Sequence, residues 1–383
     1  MEERPTPEPA ITAPPLRVLH LTAGSYTGGL SRYLYDLSAA MVARGHQVAI
    51  AGRRGPAHDI FQQAPWPWID LPLDGGPQAL WNSVRRLRRY LADHPVDLLH
   101  AHYRKAVHVG RWIQHTIPVP LLFTLHLSHL QNRAPWRRWF SDFGDHTHVA
   151  SQQARQWLLR DARLPPEKIS VIPHGIDPLR FPRADAHDRQ KARQFLRIAD
   201  NQCVAIYVGR LDYPKNVMWM LDLAAQRKLL PNLQILLVGD GPEEARLRSR
   251  ITADGLADRV RLLGHLDDPL PAYQAADALL LPSLREGFSL VTAEAMSVGI
   301  PVLRTRTSGT EELIREGQTG ISVPIDHDAF IAGCVEFLAD RAHLAALGRH
   351  AADHVRSHFT FDRQLQQTLD LYRRLIAPSR KTP

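Results

Sequence analysis

The chain of 383 residues is predicted to be an α/β protein built from two doubly wound, Rossmann-like parallel-sheet domains facing across a cleft. Three observations predict it. Short apolar runs alternate with segments of helical period, the alternation pauses between about residues 178 and 200 and then restarts, and the length suits two cores of ordinary size.

Residues 1–15, MEERPTPEPAITAPP, are rich in Pro, Glu and Thr without apolar periodicity, and read as a disordered tail. From residue 16 to 180 the runs LRVLHLT, HQVAIAG, VDLLHAH, PLLFTLH, HTHVAS and ISVIPHG read as buried strands. The first helix follows a glycine turn. Its apolar residues fall at Leu30, Leu34, Leu37 and Met41, and Gly45 stops it. Residues 181–358 repeat the pattern with VAIYVGR, LQILLVGD, VRLLGH, ALLLPS and PVLRT, which makes a second parallel domain. A final helix over 359–377 carries an apolar stripe of Phe361, Leu365, Leu369, Tyr372 and Ile376. Open parallel sheets bind ligands beyond the carboxyl ends of their strands, so strand ends are where chemistry is sought.

Composition removes several classes of function. No stretch approaches the roughly 20 apolar residues that span a bilayer, and the N-terminus lacks a signal-peptide apolar region, so a cytoplasmic protein is expected. Cys203 and Cys334 each lie in an apolar run and read as core residues of a reduced compartment. The net charge of +8 is uneven: residues 1–180 hold 21 Lys and Arg against 14 Asp and Glu, and residues 181–383 hold 26 against 25. The excess belongs to the first domain.

The strongest motif is REGFSLVTAEAMSVGIPVLRT. Glu286 and Gly287 follow the apolar strand ALLLPS, so they sit at its carboxyl end, where the N–H groups of Phe288, Ser289 and Leu290 open a helix and suit an anionic or polyhydroxyl ligand. Glu294, in the first turns of that helix, can accept two hydrogen bonds from a vicinal diol such as a ribose. A second motif, VGRLDYPKN, ends a strand at Val208 and Gly209 and sets Arg210 and Lys215 before the next helix. Two fixed cations there can stabilise negative charge on a ligand without a metal. Taken singly, Glu286 reads as a helix cap, Glu294 as a solvated helix residue, and the Arg and Lys as surface charge; the motifs together favour a site.

These segments resemble the paired-glutamate and Arg/Lys motifs of the retaining glycosyltransferases of family 4, which have the two-domain GT-B fold, and the resemblance covers nearly the whole chain after the tail. It implies that Glu294 binds the donor ribose, that Glu286 lies by the donor sugar, and that Arg210 and Lys215 hold the diphosphate. It implies further that His126, after the strand PLLFTL, faces the donor sugar; that Gly241 in VGDGPEEARL and Leu266 in LLGHLDD lie on donor-side loops, the latter contacting the base; and that Gly28 and Gly29 form the glycine loop of the first domain. His174 and Asp177, in VIPHGID, match an interdomain turn and are assigned a structural role. One residue departs from the family pattern: Asn216 stands where Gly usually follows the lysine, and Asn is the side chain that best tolerates left-handed geometry. Asp326, His327 and Asp328 form an Asp-x-Asp pattern, but they open the helix AFIAGCVEFLAD and are explained by capping, so no metal site is assigned.

The function implied is transfer of a hexose from a UDP- or GDP-sugar to a glycan, glycolipid or lipopolysaccharide-type acceptor in cell-envelope polysaccharide synthesis, with retention by front-side attack and no cofactor. A nucleotide-sugar epimerase of the same fold and a non-catalytic nucleic-acid-binding protein are the rivals. No nucleic-acid motif accompanies the charge, so no nucleic-acid partner is expected. Two basic segments, WNSVRRLRRYLADH (81–94) and RAPWRRWF (133–140), suit either a peripheral contact with an anionic membrane or lipid-linked acceptor, or a solvated helix face with inward aromatics.

Overall fold

The computed structural model describes residues 14–26, 29–127 and 141–379. Residues 1–13 of the expected tail, Gly28 and the basic segment 133–140 lie outside the described residues.

Among the described residues, thirteen strands form two sheets. β1 (Arg17–Gly24), β2 (Gln47–Arg53), β3 (Trp68–Asp70), β4 (Leu98–Ala101), β5 (Leu121–Leu125), β6 (His146–Val149) and β7 (Ile169–Val171) lie in the order β3-β2-β1-β4-β5-β6-β7. β8 (Cys203–Val208), β9 (Leu233–Val238), β10 (Val260–Gly264), β11 (Ala278–Leu281), β12 (Val302–Thr305) and β13 (Gly320–Val323) lie in the order β10-β9-β8-β11-β12-β13. Every pairing in the second sheet is parallel. Each sheet therefore reverses direction beside its first strand, at β1/β4 and at β8/β11, which are the switch points where such sheets bind ligands.

Residue contacts divide the chain into two compact units, one of residues 1–124, 141–146 and 371–383, the other of residues 125–140 and 147–370. In the second unit β8, β9 and β11 are largely apolar, as expected of strands covered on both faces: Val204, Ala205, Ile206, Ile235, Leu236, Leu237, Leu279 and Leu280 are all fully buried. Cys334 is buried in the same core and Cys203 lies at its edge, both as free thiols.

The helices start and stop by identifiable local chemistry. The first runs Gly29–Ala43, buries Leu34, Leu37 and Met41, and ends at Gly45 with φ +80°. Asp185 caps Ala186–Phe195 in a reciprocal box with Asp188, and Ser151 caps Gln152–Arg160 through the Ala154 N–H. Asp326 likewise accepts from the Ala329 N–H at 2.9 Å and caps His327–Leu338, while the Asp328 carboxylate bonds His327. The helix Pro77–Asp93 buries Leu80, Val84, Leu87 and Leu91 and exposes Arg85, Arg86 and Arg89. Its Trp81 is 49% exposed, so this aromatic does not point inward. No helix among the described residues is long and apolar enough to cross a membrane. The final helix spans Phe361–Ser379 and buries Leu365, Leu369, Leu371, Tyr372 and Ile376.

The expected strands all form, and two more appear, β3 and β13, each a short edge strand. WID is ended by Asp70 and GISV is broken by Ser322, so neither stands out as an apolar run.

Candidate active site

The site lies in the second unit, at the switch point between β8 and β11. β8 ends at Val208 and is followed by Gly209, Arg210 and the short turn Tyr213–Lys215. The turn closes because Asn216 adopts φ +55° and ψ +38°, the left-handed conformation for which glycine is the usual residue. The Asn216 amide donates to the Pro282 carbonyl at 3.3 Å and ties this loop to the end of β11.

After β11 comes the segment that carries Glu286. Its carboxylate is buried, 9% exposed, and accepts from the Lys215 ammonium through both oxygens, at 2.7 and 2.8 Å, and from the Ser283 hydroxyl at 2.7 Å. Burial alone would push this carboxyl up. Lys215, Arg304 and the hydrogen bonds from Lys215 and Ser283 outweigh burial and hold it below its usual range, so Glu286 is an anion clamped by a cation. Arg210 extends outward, half exposed, and pairs with Asp212 at 3.1 Å.

The turn after Glu286 is held by contacts that require its residues. A Cβ at Gly287 would lie 2.0 Å from the His126 carbonyl oxygen, so the glycine is what lets this backbone press against that carbonyl. Phe288 is buried, with its ring edge-on to His174 and close to Phe359. Ser289 has φ +71°, rare for a residue with a side chain, and its hydroxyl pairs with that of Thr292 at 2.9 Å. The helix Leu290–Val298 therefore starts without a side-chain cap, and its first N–H groups have no partner within the helix. Glu294 lies on that helix, half-buried, and accepts from the Tyr273 hydroxyl at 2.9 Å. Burial, then the neighbouring Glu294, pushes the Tyr273 phenol well up, so it remains a donor.

His126 directly follows β5, half-buried, in a group of three imidazoles with His148 and His174. Burial and His148 push His126 down to about 3, so it is neutral. Gly241 lies on the loop after β9, in close contact with the Leu211 carbonyl, and Leu266 follows β10, half-buried against the core of the unit. Gly29 opens the first helix of the other unit. His174 is buried, and Asp177 accepts from the Leu179 N–H at 2.8 Å in a turn.

Thus Arg210, Lys215, Glu286, Gly287, Phe288, Ser289, Leu290, Glu294 and His126 are carried by loops and a helix of one unit, with Lys215 bonded to Glu286 and Gly287 pressed on His126. Three further residues belong with them: Ser283, Tyr273 and Arg304. Ser283 was within reach of a reading from sequence, being the last residue of the run ALLLPS. Arg304 left a weaker signal, a lone charge in the apolar strand PVLRT, and Tyr273 left none, because it lies on the separate helix Leu270–Ala275.

Two family models match the chain in succession, Glycosyltransferase Family 4 over residues 27–180 and Glycosyl transferases group 1 over residues 188–354. The protein belongs to these family 4, group 1 glycosyltransferases and is an enzyme of that class with the GT-B fold. Among its relatives is a D-inositol 3-phosphate glycosyltransferase of Acidothermus cellulolyticus, 28% identical over 92% of this chain and 87% of the relative. A phosphatidyl-myo-inositol mannosyltransferase of Mycobacterium leprae is 27% identical over 80% and 82%. The fold is shared with sucrose-phosphate synthase from Thermosynechococcus elongatus, with a TM-score of 0.81, 24% identity and coverage of 94% and 100%. It is shared too with HepE of Anabaena in complex with UDP-glucose, with a TM-score of 0.80, 23% identity and coverage of 93% and 99%.

Proposed function

We propose that this glycosyltransferase takes a hexose from a UDP- or GDP-linked donor and transfers it, with retention and without a metal or other cofactor, to a glycan or lipid-linked acceptor. The observation that carries this is the Lys215–Glu286 pair set beside an uncapped helix start, with Glu294 fixed on the same helix by Tyr273. In this reading Glu294 takes the ribose hydroxyls, and Arg210 and Lys215 take the diphosphate. The Phe288, Ser289 and Leu290 backbone lies along the donor, Glu286 and neutral His126 meet the sugar, and the backbone at Leu266 meets the base. The solved HepE complex that shares the fold holds UDP-glucose, which supports a nucleotide-sugar donor.

Retention follows by front-side attack. The acceptor oxygen bonds to the anomeric carbon on the face from which the diphosphate departs, the bond from that carbon to the phosphate oxygen breaks, and the acceptor's proton passes to a phosphate oxygen. No protein nucleophile is needed, because the cations carry the leaving charge.

The named substrates of the relatives are phosphorylated, and the exposed Arg85, Arg86 and Arg89 with Trp81 on the first unit favour an acidic acceptor or an anionic membrane surface on the cytoplasmic side. The test is a thermal-shift panel of nucleotide sugars. A donor at 100 times its Kd adds about 2.7 kcal/mol of stability. The shift is expected for one base and sugar and lost in Glu294→Ala and Arg210→Ala; a flat response to every nucleotide sugar overturns the proposal. Undiminished turnover in EDTA and an unchanged anomeric configuration in the product test the finer claims, and incubation with donor alone separates transfer from epimerisation.

A further inference from the structure

Arg304 is the largest fully buried side chain among the described residues, 1% exposed, on β12. In register it stands opposite Leu281 on β11, the strand that leads into Ser283 and Glu286. The next residue, Thr305, donates its hydroxyl to the Ser283 carbonyl, so the end of β12 braces the segment from which Glu286 projects. The guanidinium gives one nitrogen, Nη2, to the Thr307 hydroxyl at 2.7 Å and to the Ser308 carbonyl at 3.2 Å. Its other two, Nε and Nη1, are buried without a hydrogen-bond partner among the described residues. An arginine kept in such a place costs stability unless charge compensates it.

Two carboxylates supply part of that compensation, burial still holding the Arg304 guanidinium below its ordinary value. Glu286 and Glu312 both act on Arg304 electrostatically and favour its charged form against burial. Glu312 also accepts the N–H of Gln152, and burial pushes its carboxyl up. The other groups facing Glu286 are the Lys215 ammonium, the Ser283 hydroxyl and the Tyr207 phenol, which burial keeps protonated; His126 and His174 border the same turn and are neutral. The charges thus balance, Lys215 and Arg304 against Glu286 and Glu312. Without Arg304, Glu286 would lose one of the two cations that act on it, and Lys215, which already gives it two hydrogen bonds, would carry the compensation.

We infer that Arg304 is a positioning residue, holding the Glu286 carboxylate in place so that Lys215 keeps positive charge available to an anionic ligand. The inference rests on the donor reading above and deepens it: Arg304 does not touch donor, but sets how strongly the site attracts diphosphate.

The test uses Arg304→Met, Arg304→Lys and Glu312→Gln in the full chain, with two readouts. One is the titration of the Glu286 carboxyl, followed by NMR of protein carrying carbon-13 glutamate side chains and assigned with Glu286→Gln. The other is calorimetric binding of UDP and GDP. In Arg304→Met the Glu286 midpoint is expected to rise by about one pH unit, and affinity for the diphosphate to fall about tenfold. Arg304→Lys restores most of both. Glu312→Gln leaves Glu286 as the sole carboxylate facing Arg304, so its midpoint falls. This variant decides the matter even if Arg304→Met does not fold. An unmoved Glu286 midpoint in folded Arg304→Met, or an unmoved or raised one in Glu312→Gln, overturns the inference. Failure of the unaltered protein to bind either diphosphate refutes the donor reading instead, and the carboxyl titration still decides whether Arg304 holds Glu286.

Discussion

The Tyr273 hydroxyl donates to Glu294 at 2.9 Å from a helix that precedes the glutamate by 21 residues in sequence. Glu294 is thereby aimed by a fully buried aromatic residue instead of being left to rotate at the surface. Tyr273→Phe keeps the ring and removes only that bond. Nucleotide affinity should weaken by about 1 kcal/mol, roughly fivefold, with kcat little changed. Calorimetric titration with nucleoside diphosphate measures it, and an unchanged Kd would show that Glu294 needs no such guide.

Lys215 and Glu286 should be strongly non-additive. Lys215→Met leaves a buried carboxylate with less compensation and is expected to lower stability by about 3 kcal/mol, while adding Glu286→Gln recovers much of the loss. Urea unfolding of the two single variants and the double variant gives the coupling. Simple additivity would mean that the pair is only an incidental contact.

Gly287→Ala introduces a Cβ where the His126 carbonyl oxygen already lies 2.0 Å away. The backbones must separate, at an expected cost of about 2 kcal/mol or more. Activity should fall further than stability, since Glu286 and His126 both move. A variant with native melting temperature and native turnover would contradict the close packing.

Asn216→Gly should be tolerated, whereas Asn216→Val should lose about 1–2 kcal/mol, because a β-branched residue resists the left-handed conformation at φ +55°. Chemical denaturation of the pair decides it; equal effects would imply that the Asn216 amide bond to Pro282 matters more than the backbone angle.

Acid should destabilise the protein through histidines held neutral. Burial pushes His20 down to about 3, and burial with His148 does the same to His126, from an ordinary value of 6.5. The unfolded chain takes up those protons first, so stability is full above pH 6.5 and falls as pH drops towards 3. Each residue contributes about 1.4 kcal/mol per pH unit in that interval. His20→Gln should flatten the slope of unfolding free energy against pH between 4 and 6; an unaltered slope would place the acid sensitivity elsewhere.

How much of this was legible in advance depended on where each piece of information resides. The two sheets were legible because β8, β9 and β11 are runs of apolar residues that only a covered parallel strand explains. The positions of Glu286, Lys215 and His126 at strand ends were legible for the same reason. The Lys215–Glu286 bond was not, since nothing in the spacing of VGRLDYPKN and REGFSL states that two loops on neighbouring strands meet. Asn216 was legible as a left-handed residue, because the family resemblance puts glycine at that position; Ser289 was not, because serine carries no such preference and nothing in the sequence marks its φ of +71°. Arg304 was hidden by the ordinary expectation that arginine is exposed.

The contact of Gly287 with His126 also bears on how such an enzyme can change over generations. Every replacement of glycine adds at least one carbon, so this position has no mild alternative within a single mutational step. Any change that keeps the two loops joined must then fall outside the seam between Gly287 and His126, which leaves that seam the least adjustable part of the turn.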